Sequence, residues 1–160
     1  RLVTTAPGKG KRVRKSSDSL DRAIALSSGV ASAIAAHGPR ILVAEVPSGA
    51  QSAAASYGFG ICVGVLAGQT LPLIQVSPTE TKVAATGSKG AGKKEIVEWA
   101  YGVAPDAAWI TSTVPNSYDV QDAEGRHLTL ANEHLADALA IIKAGLATAE
   151  MRGMLAMLRR

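Results

Sequence analysis

The sequence predicts an α/β fold, a sheet flanked by helices, from three observations. Helical periodicity alternates with short apolar runs in the order helix, strand, helix, strand, helix, joined by short connections. The run Ile41, Leu42, Val43, Ala44 is bounded by Gly38-Pro39 before it and Pro47-Ser48-Gly49 after it, so it reads as a buried strand. Composition is 47% hydrophobic but only 4% aromatic, so Ala, Val, Ile and Leu must build the core. At 160 residues the chain suffices for one domain with a sizeable core, spanning 1–160.

Taken in order, Leu2, Val3, Thr4 and Thr5 read as a strand already under way. A basic loop follows, with Pro7, Gly8 and Gly10 set among Lys9, Lys11, Arg12, Arg14 and Lys15, and residues 1–15 hold no acid. Such a loop is either solvated or touches phosphate. Ser17 or Ser19 can cap a helix with Asp18 and Asp21 in its first turn. Leu20, Ala23, Ile24, Ser27, Val30, Ala31 and Ile34 fall at helical spacing, and Gly38-Pro39 stops the helix. After the buried strand, residues 50–67 are rich in Ala, Gly and Ser and read as a helix. The four-residue spacing of Gly60, Gly64 and Gly68 permits a close neighbour, the sheet or a second subunit.

Residues 71–76 form the next strand, and Ser77-Pro78 starts a short helix that carries Lys82 and ends at Gly87. Another helix follows Gly92, with Ile96, Val97 and Ala100 on one face. Residues 101–131 are irregular, with short strands expected at 110–114 and 127–130 and a turn at Glu124-Gly125. Asn132 caps a long helix through about Leu158, apolar at Leu135, Ala138, Leu139, Ile142 and Leu146. His37 and His127 are assigned to the surface. No internal repeat is visible.

The formal charge of +4 and the pI of about 9.4 permit a polyanionic partner without requiring one. Cys62 is the sole cysteine, which excludes an internal disulfide and points to a reducing compartment. The apolar stretch at 61–67 is far too short to span a bilayer, and no signal peptide is visible. A cytoplasmic protein without a membrane partner is expected.

Two places carry chemistry. Glu45 closes the first buried strand, at the strand end where α/β sheets usually bind ligands. An ionised carboxylate there either faces water from the exit turn or pairs with a cation, commonly a divalent metal. In the last helix His134 and Asp137 stand three residues apart, on one face. Asp137 lies among alanines on the side that should meet the sheet; it is either a first-turn acid complementing the helix dipole or a ligand.

These residues resemble the RuvC family of Holliday-junction resolvases, within the RNase H-like superfamily, and its phage branch in particular. The resemblance covers roughly residues 2–150 and is strongest at 41–56, 79–100 and 132–144. The family's buried-strand Glu precedes a small-residue helix, as Glu45 does, and its last helix carries an acid or His three residues before an Asp-Ala-Leu-Ala run, matched by His134 and Asp137. Its two functional lysines are matched by Lys82 in Thr81-Lys82-Val83 and Lys93 in Gly90-Ala91-Gly92-Lys93. The resemblance implies an RNase H-like mixed sheet flanked by helices. It also implies Mg²⁺, with Mn²⁺ possible, held by Glu45, His134 and Asp137, with Lys82 and Lys93 on the phosphates. The implied activity is resolution of four-way or branched DNA by paired nicks, performed by a homodimer in a bacterial or phage-infected cell. Lys9, Lys11, Arg12, Arg14, Lys15, Lys82, Lys89 and Lys93 would hold the DNA. The family's first strand, with its Asp, has no counterpart here, and the expectation is that this numbering omits it.

Rival readings remain open. A catalytically silent nucleic-acid-binding module of the same fold would use the same cations. A related nuclease would cut flaps or hybrids instead. The segment from Gly87 to Lys94 comes within one residue of the phosphate loop G-x-x-x-x-G-K-[ST], but Lys94 replaces the metal-binding hydroxyl.

Overall fold

The computed structural model describes residues 15–46, 49 and 52–158. The strand expected at 2–5 and the basic residues Lys9, Lys11, Arg12 and Arg14 lie outside them. The described residues fall into two compact units, one within Arg1–Leu42 and Ser48–Leu73, the other within Val43–Pro47 and Ile74–Arg160.

In the first unit α1 (Lys15–His37) packs against α2 (Ala53–Ala67). Helix α1 begins ahead of Ser17 and Ser19, the expected caps, and its Leu20 and Ile24 stay exposed. Ser52 caps α2, its Oγ accepting from the Ala55 N–H at 3.1 Å. A Cβ placed on Gly60 or Gly64 would meet nothing within 4 Å, so no close approach is made there among the described residues.

Strand β1 (Leu42–Glu45) pairs with β2 (Leu73–Val76). Leu42 N donates to Pro72 O at 2.9 Å and Val46 N to Val76 O at 3.0 Å, a parallel register. Ile74 and Val76 are buried while Leu73 and Gln75 are exposed, the period-two alternation of a strand with one covered face.

In the second unit α3 (Pro78–Thr86) has the start and stop its sequence dictates. Ser77 Oγ accepts from Glu80 N at 3.2 Å and Glu80 Oε2 accepts from Ser77 N at 2.8 Å, a reciprocal capping box. Gly87 ends the helix at φ 76°, a left-handed conformation that a Cβ disfavours. Helix α4 (Lys93–Val103) buries Ile96, Val97 and Ala100 as expected. After it β3 (Thr111–Ser112) and β4 (His127–Leu128) form a short antiparallel pair, with Gly125 in the turn between them. Helix α5 (Glu133–Leu146) follows a single 3₁₀ turn over Leu130–Asn132. The core is aliphatic and small: Ala85, Ala91, Ile96, Val97, Ala100, Val120, Leu128, Ala136 and Ala140, with the aromatic rings of Trp99, Tyr101, Trp109 and Tyr118 packed around it.

The structure corrects four further expectations. The last helix breaks after Leu146, and a separate α6 (Ala149–Leu158) starts where Thr148 Oγ1 accepts from Met151 N at 3.2 Å. The buried stripe of α5 is Ala136, Ala140 and Ala144, while Ile142 and Leu146 are about half exposed. Small side chains let α5 lie close to its neighbours, and that proximity turns the larger ones outward. His127 is buried, with its Nδ1 3.3 Å from Asp119 Oδ1, while His37 is exposed as expected.

Asn132 does not cap α5 through its side chain. That side chain is buried and grips the main chain of Ile110, with Ile110 N donating to Oδ1 at 2.9 Å and Nδ2 donating to Ile110 O at 2.8 Å. It thus ties the irregular 101–131 segment to the start of α5. Asn132→Ala would leave both Ile110 groups unpaired and should lower stability by about 2 kcal/mol. A chemical denaturation curve with an unchanged midpoint would refute this.

Candidate functional site

One cavity of about 470 Å³ in the second unit gathers side chains from β1, α3, α4 and α5. Its lining includes Glu45, Lys82, Lys93 and Asp137, with Thr81 and Ile96 among the remainder. Glu45 ends β1, Lys82 rides on the capped helix α3, Lys93 opens α4, and Asp137 sits one turn into α5. The buried Thr81 hydroxyl is satisfied by Ser77 O at 3.0 Å, so the wall beside Lys82 carries no unpaired hydroxyl. The Gly92 N–H donates to Glu95 Oε2 at 2.6 Å and fixes the first turn of α4, and with it the base of Lys93.

The remaining candidates are placed elsewhere. His134 is exposed on α5 and is not part of the cavity lining, although its positive form would favour the charged state of Asp137. Lys89 is exposed in the turn between α3 and α4, and Lys15 is the first residue of α1. The Gly87–Gly92 turn joins two helices, whereas a phosphate-binding loop joins a strand to a helix. That removes the structural context of a nucleoside-triphosphatase.

Two residues absent from the sequence reading complete the cluster. Glu133 Oε2 pairs with the Lys93 ammonium, and Glu133 Oε1 accepts from the Tyr118 hydroxyl. Glu133 could have been found: it stands four residues before Asp137, on the same helical face. No sequence signal marks Tyr118, which comes from the irregular segment.

The charges respond to this crowding. Asp137 keeps exposed surface but is partly desolvated by the atoms around it, and that desolvation, aided by the nearby Glu133, pushes its carboxyl up from its usual range against the pull of Lys93 and His134. The Lys93 and Tyr118 hydrogen bonds hold Glu133 down, and Glu133 in turn raises Lys93. Burial and the Glu133 carboxylate push the Tyr118 hydroxyl up to about 12, so it remains a donor at every physiological pH.

Among the described residues no three His, Cys, Asp or Glu side chains gather to hold a metal ion by themselves. Glu45 and Asp137 nevertheless face one cavity from separate elements. One or two carboxylates are what Mg²⁺ takes from a protein when phosphate oxygens and water complete its shell. The donor set fits a hard cation on those terms.

The fold is a mixed α/β arrangement of helices and small sheets. Within that class the fold is RuvC-like. It is similar to the RuvC of T. thermophilus in complex with a Holliday junction substrate, with a TM-score of 0.59 and 19% identity over 90% of this chain and 73% of that one. A second Thermus thermophilus RuvC structure gives 0.51 and 18% over 89% and 84%. The sequence matches no protein-family profile and no curated protein. Among the described residues no helix is long and apolar enough to cross a membrane.

Proposed function

We propose that this chain is a divalent-metal-dependent, structure-specific endodeoxyribonuclease that resolves four-way or branched DNA, acting as a homodimer in the cytoplasm. The observation that carries this reading is the cavity itself: two carboxylates and two lysines converge in a RuvC-like fold. Two acids facing a phosphodiester repel it unless a cation intervenes, so a silent binding module has no use for them.

In this reading Glu45 and Asp137 would hold the cation, with His134, one turn before Asp137 on α5, beside them as a further ligand or an acid–base group. When bound, Mg²⁺ or Mn²⁺ polarises the scissile phosphate and promotes attack by water. Lys82 and Lys93 place positive charge against the phosphate as its charge builds. The basic residues of 9–15 and Lys89 would grip flanking phosphates, giving steep salt dependence and little sequence choice.

The test is cleavage of an end-labelled four-way junction with Mg²⁺, Mn²⁺ or EDTA, beside linear duplex and a flap. Metal-dependent paired nicks confined to the junction are expected. Binding without cutting in either metal would favour the silent module, and cutting of the flap alone would move the assignment to another branched substrate.

A further inference from the structure

We propose that Glu133 and Tyr118 are positioning residues for Lys93, an anchored arm that holds its ammonium at the cavity wall. This rests on reading the cavity as a phosphodiester-cleaving site. An isolated surface ion pair would not merit the inference, because exposed pairs hold their partners weakly. Here the two ends differ: the Lys93 side chain is 67% exposed, whereas that of Glu133 is only 18% exposed. Both Glu133 oxygens are engaged, one by Lys93 and one by Tyr118, so the carboxylate cannot turn without losing a partner.

The arm continues inward. Tyr118 packs against the core, and its N–H donates to Asn116 Oδ1 at 2.9 Å. Asn116 Nδ2 donates to the carbonyl of the fully buried Leu128 at 2.8 Å. The long, flexible lysine that lines the cavity is thereby referred to a rigid strand through three successive side chains. This gives the 101–131 segment a role: it supplies the anchor.

The experiment measures how fast an amine-acylating acetate ester labels Lys93, read by peptide mass spectrometry of the full chain, with Lys89 and Lys94 as exposed references. In the native protein Lys93 should label about tenfold more slowly than the references, since pairing with the Glu133 carboxylate favours the ammonium and leaves less of the neutral amine, which is the species that attacks the ester. Glu133→Gln should bring it to the reference rate, and Tyr118→Phe part of the way. Equal labelling of Lys93 and the references in native protein would overturn the proposal. So would a Lys93 rate unchanged by either variant.

A second arm reads single-turnover junction cleavage and junction affinity separately. Tyr118→Phe, which keeps the ring and the packing, should slow cleavage about tenfold with affinity unchanged. In a Lys93→Ala background, Glu133→Ala should add nothing. An undiminished Glu133 effect there would show that Glu133 acts through something else, and faster cleavage by Glu133→Gln would make the pair a restraint rather than a support. If native protein cuts no junction, the nuclease reading fails while labelling still decides the arm.

Discussion

Asp137→Asn should abolish junction cleavage, by at least about a thousandfold, which is about 4 kcal/mol of transition-state stabilisation. Two physical facts set that size. The substitution keeps the shape of the side chain and removes the charge on one of the two carboxylates that line the cavity. A hard cation loses most of its hold when half of its anionic ligands become neutral. The fold should be unharmed, because the surroundings of Asp137 already resist its charge and raise its pKa. A neutral amide suits that environment at least as well. Binding should therefore survive, with Lys82 and Lys93 still available to phosphate, and removal of a negative charge should leave affinity in EDTA equal or higher. Equal loss of binding and cleavage would mean that Asp137 is structural. A lowered denaturation midpoint would say the same.

Much of the fold was legible because it is dictated locally. The Ser77 and Glu80 capping box, the stop at Gly87 and the apolar face of α4 follow from side chains within a few residues of one another. Part of the cavity was legible for a different reason: Glu45 stands at a strand end and Asp137 near a helix start, where an α/β fold brings functional groups together, whereas Lys82 and Lys93 follow only from the resemblance to the RuvC family. What failed depends on long-range packing. The stripe of α5 was read from its largest apolar residues, but close packing selected Ala136, Ala140 and Ala144. Asn132 was read as a cap because Asn favours that position, and its partner lies 22 residues away at Ile110. His127 has nothing nearby in sequence that marks it as buried. The Tyr118 and Glu133 pairing is of the same kind, since it needs the path of the irregular segment.

Gly145→Ala should lower stability by about 1–2 kcal/mol and slow cleavage about a hundredfold, and Val43→Ala should reverse both. An added Cβ at Gly145 would lie 2.5 Å from Val43 Cγ1 and 2.8 Å from Cγ2. Such a contact forces strand and helix apart, which outweighs the gain of at most about 1 kcal/mol that Ala brings over Gly in a helix, a gain reduced next to the helix end. The catalytic effect follows from periodicity. Val43 and Glu45 point to the same face of β1, being two residues apart. Gly145, Ile141 and Asp137 recur at four-residue spacing on one face of α5, and Ile141 and Asp137 line the cavity with Glu45. The expected consequence is that the size of residue 145 controls how near Glu45 comes to Asp137. Removing the Val43 methyl groups restores the room that the new Cβ takes. If Gly145→Ala cleaves normally, the approach of β1 to α5 does not govern the carboxylate pair. If Val43→Ala restores stability without activity, Glu45 is positioned by something other than this contact.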